Sequence, residues 1–319
     1  MRTLAWSWAV LALAACEPHA PTPVELEVPL GFPPMPAPEE GNATTVEGIA
    51  LGRQLYYDPR LSRDGGRACA DCHLQERAFS SPHPVGVLAH VNLAWSRAFL
   101  WDGSTEGTLE DAMRMEVDDF FMTDVTRLRE PDLEEMFLAA FGTSEVTAER
   151  AALALAQFQR TLVSGDSRYD RYIAGDRSAM SEAEVRGMSV FNSERGECFH
   201  CHATALFTDN LFHNIGLDAE VRGTGRGAVT GRALDGGAFK TPTLRNVAVS
   251  GPYMHDHRFA TLEEVLEHYS DGVVYSDTLD ALIPIGGLRL TPEERRDLAA
   301  FLRALTDERF LEDASLARP

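Results

Sequence analysis

A mainly α-helical fold divided into two similar domains is what three observations predict. One motif occurs twice, as Cys69-Ala70-Asp71-Cys72-His73 and Cys198-Phe199-His200-Cys201-His202, the second copy following the first by 129 positions. Apolar residues elsewhere recur at helical spacing behind capping signals. No run alternates strongly enough to support a sheet. With 319 residues and 44% hydrophobic content, the chain can bury two cores of ordinary size, and wholesale disorder is excluded.

The charge balance narrows the function. Aspartate and glutamate number 49 against 29 lysine and arginine, for a net charge of -20. Nucleic-acid binding needs a basic footprint and is excluded. The positive charge is arginine throughout, with Lys240 the single lysine. The acidic surplus reads as a solvated surface, with a docking face for a basic partner as the other reading.

Taken in order, the chain opens on a short positive start, Met1-Arg2-Thr3. An apolar run from Leu4 to Ala15, interrupted by Ser7, follows. It is too short to span a bilayer and suits a signal peptide over residues 1–15. The ending Leu13-Ala14-Ala15-Cys16 resembles a bacterial lipoprotein signal, in which Cys16 would carry lipid and become the mature N-terminus. An ordinary signal peptide is the alternative. Either predicts export to the periplasm or cell envelope, with the membrane reached only through the anchor. Residues 16–45 carry many prolines, Pro33 and Pro34 among them, and read as an extended tether.

Residues 46–170 read as the first domain. A helix ending Gly52-Arg53-Gln54-Leu55-Tyr56 leads into the first motif. After Thr147, Leu155, Phe158 and Leu162 keep helical spacing and Gly165 stops the helix. Asp166 to Asp176 is polar and reads as the link between domains. Residues 171–319 read as the second domain. Ser181 and Glu184 form a capping box, and the helix ends Gly187-Met188-Ser189-Val190-Phe191 before the second motif. Gly223 to Gly237 reads as a loop. Thr261 and Glu264 cap a helix carrying Val265, Leu266 and Tyr269, with Gly272 as its stop. Thr291-Pro292-Glu293-Glu294 opens another, which buries Leu298, Phe301, Leu302 and Leu305.

The cysteines carry the chemistry. Cys-x-x-Cys-His is the attachment site of c-type haem. Cys69 and Cys72, and again Cys198 and Cys201, supply two thiols for thioether links. His73 and His202 supply the proximal iron ligands. A redox Cys-x-x-Cys or half a zinc site would not require the histidine that follows each pair. With Cys16 assigned to lipid, none of the five cysteines is left over. The fold expected is therefore two cytochrome c-like domains, each with one covalent haem.

The two motifs at this separation resemble the bacterial di-haem cytochrome c peroxidase and MauG family. Leu51-Gly52-Arg53-Gln54-Leu55-Tyr56-Tyr57-Asp58-Pro59-Arg60-Leu61-Ser62, Phe99-Leu100-Trp101-Asp102-Gly103, Thr243-Leu244-Arg245-Asn246-Val247-Ala248 and Gly251-Pro252-Tyr253-Met254-His255-Asp256 carry the likeness. It spans about residues 45 to 310. A narrower likeness, to the methanobactin-associated di-haem enzymes, runs through Gly31-Phe32-Pro33-Pro34 and Ser164-Gly165-Asp166-Ser167-Arg168-Tyr169-Asp170. The resemblance implies that hydrogen peroxide reacts at the N-terminal haem and that the C-terminal haem transfers electrons. Trp101 is then the bridge between them; otherwise it is a core residue.

One position divides the family. Some members place a methionine on the second haem iron from the helix after the Pro-Tyr-x-His stretch. Here the matching residue is Tyr269, as in MauG, and a phenolate lowers the iron potential where a thioether raises it. The helix register favours Tyr269 over His268; Met254 is a further candidate. The chain also departs from the family. Its acid–base glutamate is matched by the stretch Phe120, Phe121 and Met122, so Glu116 is the nearest substitute, with Asp118 and Asp119 behind it. The preceding glutamine is matched by Asp111 or Ala112. Gly86 matches the asparagine that helps hold calcium between the domains, which weakens the case for calcium. His83 and His90 are candidates to cap the first haem.

Three functions are expected from this reading. The first is reduction of peroxide with electrons from a small cytochrome c or copper protein. The second is MauG-like oxidation of a tyrosine or tryptophan on a partner protein. The third is electron carriage without catalysis.

Overall fold

The computed structural model of the chain describes residues 20–82 and 86–319. The signal peptide, Cys16 and His83 lie outside the described residues.

The first helical unit begins with α1 (Val46–Tyr56), which Thr45 caps by accepting from the Gly48 N–H. A short antiparallel pair, β1 (Ala98–Phe99) and β2 (Thr105–Glu106), precedes α2 (Leu109–Met115), α3 (Pro131–Phe141) and α4 (Ala148–Arg160). Helices α1 and α4 cross at Gly52, where an added Cβ would lie 1.9 Å from the Ala154 carbonyl oxygen. That close approach lets Leu51, Leu55, Tyr56, Leu155 and Phe158 interlock in one core with Phe79 and Phe137.

The second unit repeats the arrangement. α5 (Arg168–Ile173) and α6 (Glu182–Phe191) lead to the motif helix α7 (Phe199–His202). The pair β3 (Phe212–His213) and β4 (Phe239–Lys240) encloses α8 (Arg226–Thr230). α9 (Leu262–Glu267) and α10 (Pro292–Ala304) complete it, and both carry the expected capping boxes. α6 crosses α10 at Gly187, where an added Cβ would lie 1.9 Å from the Asp297 carbonyl oxygen. Phe191, Phe207, Leu266, Leu298, Phe301 and Leu305 form the core behind it.

Four expectations need correction. The proline-rich stretch does not run as a free tether over its described part, residues 20–45. Val24 N–H donates to the Thr44 carbonyl at 2.9 Å, and Phe32 is buried edge-on to Trp95, whose indole N–H donates to the Pro33 carbonyl. The link at 166–176 is not plain coil. It holds α5, whose Asp170 takes both Arg245 guanidinium nitrogens at 2.8 and 2.9 Å. The loop at 223–237 contains α8. The C-terminus does not stay with the second unit. α11 (Glu308–Glu312) crosses back, and Phe310 and Leu316 join the first core. Arg53 and Tyr57 donate to the Ala317 and Leu316 carbonyls and hold it there.

Candidate haem sites

Both motifs close with the same backbone hydrogen bond, the first from a 3-10 turn and the second from the α-helical turn α7. His73 donates its backbone N–H to the Cys69 carbonyl, and His202 donates to that of Cys198, each at 2.9 Å. The ring Nδ1–H of His73 donates to the Phe79 carbonyl at 2.7 Å. That of His202 donates to the Phe207 carbonyl at 3.0 Å. Both phenylalanines have left-handed backbones, with φ of 55° and 53°, which turn their carbonyls back toward the motif. A fixed Nδ1–H leaves Nε2 as the ligating nitrogen. Burial pulls the His73 imidazole down to about 4 and lowers that of His202, so both stay neutral, as a metal ligand must. The sequence reading missed Phe79 and Phe207. A phenylalanine six residues after one motif histidine and five after the other was the only signal.

Around the first motif Cys69 is buried and Cys72 half-buried. Glu116 opens a widened turn, Glu116–Phe120, that continues α2. Its carboxyl acts electrostatically on Cys69, Cys72 and Tyr56, and burial pushes it up to about 7. Asp118 and Asp119 are exposed, so Glu116 alone of the three turns inward. Phe121 enters the first core, whereas Phe120 and Met122 face solvent. Asp111 closes the capping box of α2 and Ala112 packs in the core.

His90 lies against His73. The two rings stack with centroids 3.5 Å apart and planes at 17°. His90 Nδ1 is engaged by Tyr56 Oη at 3.1 Å and Gln159 Nε2 at 2.8 Å. Gly86 backs directly onto the His255 carbonyl, where an added Cβ would lie 2.2 Å from the oxygen.

The second motif opens on a large cavity. Cys198, Cys201, His202, Trp101, Lys240 and Tyr269 all line it, and Met254 lies in the same wall. Tyr269 arrives on a widened turn, His268–Gly272, that continues α9. Leu262 and Leu266 anchor that helix in the core. Leu288 and Arg289 donate to the Tyr269 and Ser270 carbonyls and fix the turn. The Tyr269 hydroxyl has no hydrogen-bond partner among the described residues, and burial pushes its pKa up. His268 is turned elsewhere, its Nε2 3.0 Å from the Ile215 carbonyl.

Trp101 follows β1. Phe99, two residues earlier, sits in the first core, while Trp101 faces the second cavity with its buried indole N–H unpartnered. The donor set suits a c-type haem: two thiols, a neutral imidazole of fixed tautomer and a phenol without a hydrogen-bond partner among the described residues, around one cavity. The first motif offers the same thiols and imidazole.

Two helical units, each presenting two thiols and a neutral imidazole, define a di-haem cytochrome c-like protein. The family described as di-haem cytochrome c peroxidase matches residues 46–178. The methylamine utilization protein MauG of Methylorubrum extorquens is 40% identical over 84% of this chain and 81% of its own length. The cytochrome c551 peroxidase of Nitrosomonas europaea is 29% identical over 86% of this chain and 84% of its own. Among solved structures, a MauG-like protein associated with microbial copper homeostasis superposes with a TM-score of 0.85. It is 33% identical and covers 93% of this chain and 99% of that one. The chain therefore belongs to the di-haem cytochrome c peroxidase and MauG family, and is a cytochrome-c peroxidase-like oxidoreductase. Membership implies two c-type haems. No helix among the described residues is long and apolar enough to cross a membrane.

Proposed function

We propose that the protein is an exported, peroxide-dependent oxidase of the MauG type, which draws electrons from a tyrosine or tryptophan of a partner protein. The observation that carries this reading is Tyr269, a phenol in the cavity of the second motif with no hydrogen-bond partner among the described residues. When bound, haem supplies a peroxide-reactive iron at the first site and a one-electron centre at the second. Cys69, Cys72 and His73 would hold the first, and Cys198, Cys201 and His202 the second. Tyr269 would close the second from the other side, as a phenolate.

Glu116 is suited to carry a proton between the two peroxide oxygens, because burial holds its carboxyl near neutrality. Trp101 would pass electrons between the sites. The alternative, a peroxidase fed by a small cytochrome c or copper protein, calls for a high-potential second haem held reduced as an electron store. A phenolate ligand works against that.

Stopped-flow mixing of the fully oxidised holoprotein with hydrogen peroxide separates the readings. The MauG-type reading predicts a fast spectral change without prior reduction. It also predicts that Tyr269→Phe alters the resting spectrum of one haem while intact mass still shows two. Reaction only after one-electron reduction would favour the cytochrome-fed peroxidase, and no reaction in either state would leave an electron carrier. An unchanged resting spectrum in Tyr269→Phe would exclude ligation by the phenol.

A further inference from the structure

One wall of the second cavity holds a buried ammonium that no carboxylate meets at hydrogen-bond distance among the described residues. β4 pairs with β3 on one side, and on the other the Lys240 N–H donates to the Trp101 carbonyl at 2.8 Å. These bonds fix Lys240 beside Trp101. Its side chain lines the cavity, and the residue is only 6% exposed. An ammonium has three donors. Lys240 Nζ has one hydrogen-bond partner among the described residues, Asn210 Oδ1 at 2.6 Å. Asp209, the acid that acts on it, is engaged by His213 Nε2 at 2.9 Å, and the Nδ1 of the same ring meets Asp280 at 2.6 Å. Burial draws the ammonium down to about 8. An underpaired buried cation is costly to keep. All other basic side chains of the lysine and arginine type in this chain are arginine. A compact ammonium meets a single carboxylate oxygen as a point charge, without the planar fork of a guanidinium.

We infer that Lys240 is a positioning residue, whose ammonium anchors a carboxylate of the second haem, a propionate, next to Trp101. This rests on the reading that Cys198, Cys201 and His202 hold that haem. The anchored pair sets the cofactor's rotation in the cavity and its charge environment. Loss of the cation leaves the carboxylate uncompensated, favours the oxidised iron and lowers the potential of the second haem.

The test is potentiometric titration of the holoprotein carrying Lys240→Met or Lys240→Arg, with haem content read by intact mass. Methionine keeps the linear shape without the charge. It should lower the reduced-to-oxidised ratio of the second haem about tenfold at a given solution potential, equivalent to ~59 mV for one electron. The first haem should not move. Arginine should restore most of the shift. An unmoved second haem in Lys240→Met, or equal shifts with methionine and arginine, overturns the anchor. If methionine abolishes loading of the second haem while arginine permits it, the cation requirement stands. If neither loads, Lys240 is a packing residue and the anchor is overturned. A wild-type mass without a second haem would instead reject the haem assignment on which the anchor rests.

Discussion

In the proposed function Glu116 carries the proton, and its partly buried carboxyl suits that role. Burial destabilises its charged form and lifts it to about 7. To take the first proton from peroxide it must be ionised. The reaction should therefore slow as pH falls through about 7 and level off above it. Glu116→Gln should lower the peroxide rate roughly 10²–10⁴-fold and abolish that inflection. Rapid mixing across pH 5 to 9, with haem content checked by mass, measures both effects. A variant with the same rate and the same inflection would remove Glu116 from the mechanism. The stability sign is the reverse of a salt-bridged acid. The folded carboxyl binds its proton more tightly than the unfolded one, so this group's contribution falls as pH rises from about 4.5 to 7.

At the scale of elements, each motif depends on a helix crossing made through a glycine. Gly52 lets α1 reach α4, and Gly187 lets α6 reach α10. Glycine to alanine within a helix ordinarily stabilises by up to ~1 kcal/mol. At Gly187 the sign should invert, because the new Cβ meets the Asp297 backbone rather than a side chain that can turn away. Gly187→Ala should cost about 1–3 kcal/mol, seen as a lower melting temperature, and unchanged melting would show that the crossing relaxes freely. The sequence makes these two helices legible, since Gly52 and Gly187 each stand four residues before an aromatic, Tyr56 and Phe191, ahead of the motifs, and a capping box opens α6. Tyr269 was readable for the same reason, being one helical face with Leu262 and Leu266. The left-handed carbonyls of Phe79 and Phe207 were not, because phenylalanine carries no preference for that backbone region. Nor was α11 as a strap on the first core. A five-residue helix is too short to show a period, and its partners lie more than 200 residues away.

The whole molecule is laced so that neither unit stands alone. The C-terminal strap closes over α1, and Phe32 packs with Trp95 of the first unit and Leu206 of the second. The Arg245 guanidinium lies 4.6 Å over the Phe32 ring while it pairs with Asp170. Prolines announced an extended stretch at 20–45, but composition cannot say what an extended stretch packs against. Between the units, the backbone runs from the first core at Phe99 to the second cavity at Trp101. In the proposed function the two haem sites work as one unit through that indole. The direct measurement is time-resolved absorption of both haems after peroxide is mixed with wild type and with Trp101→Phe, which keeps most of the apolar bulk. Wild type should show both haems changing in a single phase. Trp101→Phe, still carrying two haems, should show the second haem following in a separate, slower phase. Two haems still changing together in that variant would remove the bridge and make Trp101 a core residue.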